Sequence, residues 1–125
     1  AYNANPSSMK AALKAFRQKV LEAQSDLKDA GLILGDMNEL GPKAKTYHEE
    51  LGRHCLELGF KNLIFVGSMA GDYNAGCGGL GAEFSSVESL KRKNSKAEDG
   101  SFLNYKWLFI KGSRSLQLES IVDIN

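Results

Sequence analysis

Four short polar clusters carry the residue types that could bind a charged ligand. They occupy positions 3–8, 35–41, 67–74 and 111–115. The last cluster joins Lys111, Ser113 and Arg114 at the point where a strand pattern gives way to a helix pattern. Free N–H groups and the dipole at a helix N-terminus favour a carboxylate or phosphate, and two cations strengthen that preference. This cluster predicts either an anion site or a capped, solvated turn.

The other clusters also allow two interpretations. Asn5 is suited to cap a helix that begins at Pro6, but capping does not explain Asn3 as well. Asp36 follows a glycine, so it could be a turn residue, the cap of the next helix, or a carboxylate that faces a ligand.

The sequence shows no evident nucleotide-binding loop and no evident catalytic triad or dyad. The glycine-rich stretch 76–81 does not directly follow a strand and opens no clear helix, unlike a dinucleotide-binding loop. The segment 111–113 lacks the GxxxxGK[ST] order of a phosphate loop. No Ser-His-Asp or Cys-His set stands out. No catalytic residue is therefore assigned to this chain alone.

No metal site is predicted either. Cys55 and Cys77 form no CxxC pair and are predicted to be free thiols. His48 and His54 are six positions apart on a predicted helix, so they point to different faces. We expect both histidines to be ordinary surface or boundary residues.

The elements that must position the clusters alternate between helix and strand. An apolar stripe at helical spacing predicts a first helix from Pro6 to about Lys28, ended by Gly31. Further helices are predicted at 42–59, 87–94 and 113–125, with a short helix running into a loop within 68–82 and an exposed turn at 94–101. Strands are predicted at 32–36, 62–67 and 106–111, with a minor one at 82–86. Ala1 and Tyr2 could be the tail of a first strand.

This alternation indicates an α/β domain of three layers, Rossmann-like, with a mostly parallel sheet and helices on both faces. Ligands of such sheets bind beyond the carboxyl ends of the strands. Three polar clusters follow predicted strands, and the cluster at 3–8 does so if Ala1 and Tyr2 end a first strand. All four would then lie along one edge of the sheet.

Composition limits the possible partners. The chain has 125 residues, 42% hydrophobic and 25% charged, which suits one domain with a core of its own. A net charge of +1 gives no field that attracts nucleic acid or an anionic membrane. No apolar run approaches the roughly 20 residues of a membrane span, and no signal peptide is visible. We expect a cytoplasmic protein that binds neither nucleic acid nor membrane.

The motifs, taken together, resemble the C-terminal, glutamate-ligase-type domain of the bacterial Mur ligases. The matching stretches are "YNANPSS", "ILGDMNELG", "IFVG" and "LFIKGSRSLQLESIV", in that order and over nearly the whole chain. They are most similar to the members that add D-alanyl-D-alanine to UDP-N-acetylmuramoyl-tripeptide during peptidoglycan synthesis. In this family the first motif lies at the border between the central and C-terminal domains. We therefore expect residues 1–125 to be one domain of a longer polypeptide, whose UDP-binding and ATPase domains lie upstream.

The resemblance also implies a mechanism and a set of ligands. ATP and Mg²⁺ would be bound mainly by the central domain, and an acyl phosphate on the tripeptide would be attacked by the amine of the dipeptide. The C-terminal domain would close over the nucleotide and help to hold the dipeptide. By position, the nucleotide and the cleft would be faced by Asn3, Asn5, Ser7, Asp36 and Asn38. The dipeptide carboxylate or the reacting phosphate would be faced by Lys111, Ser113 and Arg114.

Two alternatives remain open at the level of sequence. The chain could be a stand-alone α/β module that binds a nucleotide or small anion, or an interaction domain without a ligand. One stretch departs from the family pattern, since residues 68–81 are rich in glycine where relatives carry a longer regular helix. A short or frayed helix is expected there. As a fragment, the chain is predicted to be inactive in ligation.

Overall fold

Four strands and four helices alternate along residues 5–96 and 103–113, which are the residues that the computed structural model describes. The helices are α1 (Pro6–Glu22), α2 (Ala44–Glu57), α3 (Ala70–Gly76) and α4 (Val87–Lys96). The strands are β1 (Ala30–Gly35), β2 (Asn62–Val66), β3 (Ala82–Phe84) and β4 (Trp107–Lys111). Short 3₁₀ turns at Leu27–Asp29 and Gly41–Lys43 precede β1 and α2.

The strands form one parallel sheet in the order β3-β2-β1-β4. Leu32 of β1 lies between Leu63 of β2 and Phe109 of β4, so apolar runs pair along the sheet. Every residue of β1 is buried, as expected of a central parallel strand. The predicted mostly parallel, Rossmann-like sheet is therefore confirmed.

Two hydrophobic cores lie on opposite faces of the sheet, because successive strand residues point to opposite sides. Leu32 and Leu34 pack in one core with residues of α1, α2 and α3. Ile33 packs in the other core with Val87 and Leu90 of α4. The helices thus cover both faces, and the three-layer arrangement predicted from the sequence is confirmed.

Helix α1 ends at Glu22 and not near Lys28, so the predicted boundary was wrong. Gln24 has a left-handed φ of 59°, and the Asp26 side chain caps the 3₁₀ turn that follows. Leu27 still packs against the core from this turn. The apolar spacing therefore continued past the point where the helical backbone stopped.

Residues 94–96 form the last part of α4, although they were predicted to begin an exposed turn. Asn94 is buried, which corrects that prediction. The rest of the predicted turn at 97–101 lies outside the described residues, as do the predicted first strand and the closing helix from 114 onward. None of the helices within 5–96 and 103–113 is long and apolar enough to cross a membrane.

Helices α2 and α3 approach each other so closely that glycine is required between them. A Cβ on Gly52 of α2 would overlap the carbonyl oxygen of Tyr73 in α3. A Cβ on Gly76 would overlap the carbonyl oxygen of Glu49 in the same way. The glycine-rich stretch after β2 therefore packs a short helix tightly on α2, and the expected short helix is confirmed.

We predict that Gly52→Ala lowers the free energy of unfolding by about 1–3 kcal/mol, because the added methyl group forces two backbones apart. Gly71→Ala is the matched control, since its Cβ would meet only Glu83 Oε1 at 3.6 Å. That change should be neutral or stabilise by up to about 1 kcal/mol through helix propensity. Urea denaturation of both variants measures the difference. Equal effects of the two substitutions would contradict the close packing of α2 on α3.

Candidate functional site

The carboxyl ends of β1, β2 and β4 bring three of the four polar clusters together. The Ser113 amide donates a hydrogen bond to the backbone oxygen of Asp36 at 2.9 Å. The Ser68 amide donates to the carboxylate of the same residue at 3.0 Å. We call this group the polar edge and define it as Asp36, Asn38, Ser68, Lys111 and Ser113. Its existence at the strand ends agrees with the expectation for a parallel sheet.

Both carboxylate oxygens of Asp36 accept hydrogen bonds from the turn that leads into α3. Oδ1 accepts from the Met69 amide at 2.9 Å, and Oδ2 accepts from the amide and the hydroxyl of Ser68 at 3.0 Å each. Asp36 does not cap the next helix, because α2 begins without a side-chain cap. It instead joins the end of β1 to the end of β2.

This contact requires glycine at position 67. Gly67 has a φ of +119°, and a Cβ there would lie 2.5 Å from Asp36 Oδ1. Its amide donates to the Phe84 carbonyl at 2.8 Å, which fixes the residue against β3. A side chain at this position would therefore disturb the backbone and the carboxylate together.

A second side-chain bond joins the ends of β1 and β4. Asn38 Nδ2 donates to Ser113 Oγ at 2.9 Å across 75 positions of sequence, and Ser113 is buried. Lys111 is half-buried at the end of β4, in register with Leu34 of β1. The structure thus brings Asp36, Asn38 and Ser113 together and places Lys111 on the adjoining strand. Asn3 and Arg114 lie outside the described residues.

The predicted residues at the start of α1 have a clear local role. Asn5 Oδ1 accepts from the Ser8 amide at 3.0 Å and from the Ser7 hydroxyl at 3.1 Å. The backbone N–H of Asn5 donates to Ser8 Oγ in return, which completes a capping box. The interpretation of Asn5 as a helix cap is therefore confirmed, and Asn5 and Ser7 are both exposed.

His48 is fully buried, so its prediction as a surface or boundary residue was wrong. Its Nε2 accepts from the Met37 amide at 3.0 Å, and its Nδ1 lies 2.7 Å from the carbonyl oxygen of Ala44. The sequence held a signal for this burial, because the buried positions of α2 are 48, 51, 52 and 55, a helical i, i+3, i+4, i+7 series. His48 therefore holds the backbone of the loop that follows β1 through its bond with Met37.

His54 of α2 is half-buried and lies near Lys10 and Lys14 of α1, as predicted for a boundary residue. Partial burial lowers its pKa, and the nearby ammonium groups of Lys14 and Lys10 lower it further. None of the described contacts joins it to the polar edge.

The Cys55 thiol does not provide a nucleophile at neutral pH. Cys55 and Cys77 are free and buried, as predicted, and burial raises the pKa of Cys55 to about 12, with Cys77 contributing. Only the thiolate attacks electrophiles, so Cys55 stays unreactive in the folded state.

The described residues do not fit a magnesium site. Within 5–96 and 103–113, no group of three or more His, Cys, Asp or Glu side chains could hold a metal ion. The carboxylate of the polar edge is that of Asp36, and both of its oxygens already accept hydrogen bonds.

Comparison with known proteins identifies the family. Residues 1–114 match the family model described as the Mur ligase, glutamate ligase domain. The chain belongs to this family. The resemblance to the C-terminal domain of Mur ligases, noted from the motifs, is thereby confirmed.

Relatives of this Mur ligase domain carry one shared description. The UDP-N-acetylmuramoyl-tripeptide–D-alanyl-D-alanine ligase of Rickettsia prowazekii is 35% identical over 124 residues, which cover 98% of this chain and 25% of the relative. The enzyme of the same name from Buchnera aphidicola is 32% identical over 128 residues, with the same coverage of 98% and 25%. The chain therefore spans about a quarter of the length of the relatives it matches.

Solved structures agree with this assignment. A crystal structure of MurF from Acinetobacter baumannii superimposes with a TM-score of 0.73 at 26% identity, covering 99% of this chain and 26% of that one. A MurF ligase from Thermotoga maritima in complex with ADP shares the fold, with a TM-score of 0.54 at 19% identity over 99% of this chain and 26% of that one.

We predict that Asp36→Asn lowers the free energy of unfolding of this Mur ligase domain by about 1–3 kcal/mol. The amide keeps the size of the side chain but replaces one acceptor oxygen with a donor, which then faces an N–H group. Asp72→Asn is the matched control, because its ion pair with Lys45 joins side chains that are 27% and 71% exposed. That pair should contribute less than about 1 kcal/mol. Thermal denaturation measures both variants, and equal shifts would contradict the structural role of Asp36.

Proposed function

We propose that this chain is the C-terminal domain of a longer, ATP-dependent ligase that adds D-alanyl-D-alanine to UDP-N-acetylmuramoyl-tripeptide. The observation that carries the proposal is the match of 98% of the chain to relatives that bear this name. The polar edge supports it, since it gathers hydrogen-bonding groups and Lys111 at the strand ends where α/β domains bind ligands. Such an enzyme would act in the cytoplasm on peptidoglycan precursors.

The proposed reaction has two chemical steps. The terminal carboxylate of the tripeptide attacks the γ-phosphorus of ATP. ADP is the leaving group, and an acyl phosphate forms on the tripeptide. The amine of the dipeptide then attacks the acyl carbon, a C–N bond forms, and inorganic phosphate and a proton are released. ATP and Mg²⁺ would be bound mainly by the upstream ATPase domain, and the tripeptide by the UDP-binding domain.

The role of this domain would be to close over the intermediate and to orient the dipeptide. Closure excludes water from an acyl phosphate that water would otherwise hydrolyse. The cationic end of β4 and the segment after it, with Lys111, Ser113 and Arg114, would face the dipeptide carboxylate or the reacting phosphate. The side of the cleft nearer the nucleotide would be lined by Asn3, Asn5, Ser7, Asp36 and Asn38.

The hydrogen bonds of the polar edge give this role a physical basis. Asp36 joins the ends of β1 and β2, and Asn38 joins the ends of β1 and β4. A ligand that meets these loops meets groups already fixed relative to one another, so less reorganisation is needed during the reaction. We propose that Asp36 supports the cleft by holding this edge.

The stand-alone binding module is the competing function, and the length of the natural polypeptide separates the two. Intact mass measurement of the protein that carries this segment, in a cell extract, would decide between them. A mass of several domains supports the ligase. A mass near 13.6 kDa, that of the 125 residues, would overturn it.

The 125-residue chain alone is predicted to release no phosphate from ATP when UDP-N-acetylmuramoyl-tripeptide and D-alanyl-D-alanine are supplied. Its sequence has no phosphate loop, and its described residues contain no metal-binding cluster. A colorimetric phosphate assay makes the measurement, with the longer polypeptide as the positive control. Phosphate release that depends on both the 125-residue chain and ATP would refute the assignment of catalysis to the upstream domains.

In the longer polypeptide, Lys111→Ala and Arg114→Ala are predicted to lower kcat/KM for D-alanyl-D-alanine on the order of 10²-fold. In the proposed role each change removes a positive charge that would attract a carboxylate or phosphate, so turnover should fall far more than the melting temperature. Lys106→Ala is the matched control, because Lys106 is exposed just before the opposite end of β4. A loss of activity matched by an equally large loss of stability would make the two cations structural.

A further inference from the structure

Two buried side chains from different helices hold the loop that follows β1. His48 of α2 accepts a hydrogen bond from the Met37 amide at 3.0 Å. Tyr73 of α3 donates its hydroxyl to the Gly35 carbonyl at 2.8 Å. These two backbone groups lie on either side of Asp36, so this residue is fixed from both directions.

The two side chains also contact each other and the sheet. The rings of His48 and Tyr73 meet edge to face, with centroids 4.8 Å apart and planes at 79°. The Tyr73 ring stacks on Phe65 of β2 at 4.9 Å and 11°. All three rings are fully buried. Their positions are therefore set by close packing, which limits the movement of the loop they hold.

The hydrogen-bonding polarity of the pair is determined by its partners. A carbonyl oxygen only accepts, so the proton of the His48 ring lies on Nδ1, toward Ala44, and Nε2 is the acceptor for Met37. Burial raises the pKa of Tyr73 well above its usual value, so its hydroxyl remains a donor. Each ring nitrogen of His48 and the Tyr73 hydroxyl therefore match the polarity of the backbone group that they meet.

We propose that His48 and Tyr73 are positioning residues for ligation, which fix Asp36 and Asn38 at the polar edge without contacting a substrate. This inference rests on the proposed function. The backbone they hold carries Asp36, which binds the turn before α3, and Asn38, which binds Ser113. A displacement of this loop by about 1 Å would move both links and could cost about 10²-fold in rate.

Five variants of the longer polypeptide test the proposal, two at His48 and one each at Tyr73, Leu90 and Tyr105. Tyr73→Phe removes the hydroxyl alone, and His48→Leu removes the acceptor while filling the space. His48→Gln places an amide oxygen where Nε2 lies and should restore the acceptor. Tyr105→Phe is the matched control, since the Tyr105 ring lies against Gly31, at the start of β1.

We expect Tyr73→Phe and His48→Leu to lower kcat/KM for D-alanyl-D-alanine by about 10-fold or more, and His48→Gln to recover most of that loss. Leu90→Ala, in the core on the other face of the sheet, should lower the melting temperature and leave kcat/KM unchanged. If the pair had a purely structural role, Leu90→Ala would lower kcat/KM as much as Tyr73→Phe or His48→Leu does when the loss of stability is equal. That result, or a failure of His48→Gln to recover activity, would overturn the proposal.

A second measurement is independent of ligation. In ¹⁵N-labelled samples of the 125-residue chain, Tyr73→Phe should shift the amide resonances of Asn38, Ser68 and Met69, and Tyr105→Phe should not. Unmoved resonances would overturn the positioning role even if the ligase assignment stands. In another outcome, the resonances shift as expected while the longer polypeptide, without any substitution, has no ligase activity. That combination would refute the proposed function, and with it the role of the pair in ligation.

Discussion

The carboxylate of Asp36 is the contact on which the arrangement of the strand ends depends. It accepts three hydrogen bonds from Ser68 and Met69, which lie 32 and 33 positions further along the chain. Parallel strands end at the same edge of a sheet, but their loops need not be fixed to one another. Here the carboxylate fixes them, and it can do so only because Gly67 carries no Cβ that would occupy the same space.

Packing far from the strand ends is coupled to this contact through α3. Gly52 allows α2 to approach the backbone of α3 at Tyr73, and the Tyr73 hydroxyl then reaches the Gly35 carbonyl. His48 completes the link from α2 to Met37. The glycine between α2 and α3 therefore affects the loop after β1, because the buried rings of Tyr73 and His48 connect the two helices to that loop.

The sequence alone indicated most of the fold and the location of the site, because those features depend on local patterns. Apolar runs marked β1, β2 and β4, and strand–helix alternation placed three polar clusters at one edge. The end of α1 was misplaced, since apolar spacing continued to Leu27 after the backbone had left the helix. The partners of Asp36 and Asn38 could not be predicted, because bonds between residues 32 to 75 positions apart leave no periodic signal.

The described residues contribute geometry and charge more than reactive groups, and this suits a domain that closes on chemistry performed elsewhere. The Cys55 thiol is unreactive, since its pKa is about 12, and the Asp36 oxygens are occupied by backbone and hydroxyl donors. A closing domain must present groups that are fixed before the reaction, because electrostatic stabilisation depends on groups that are already in place. If the proposed function holds, the bonds that stabilise the polar edge also hold the groups used in ligation, so changes to Asp36 or Asn38 are expected to affect folding and ligation together.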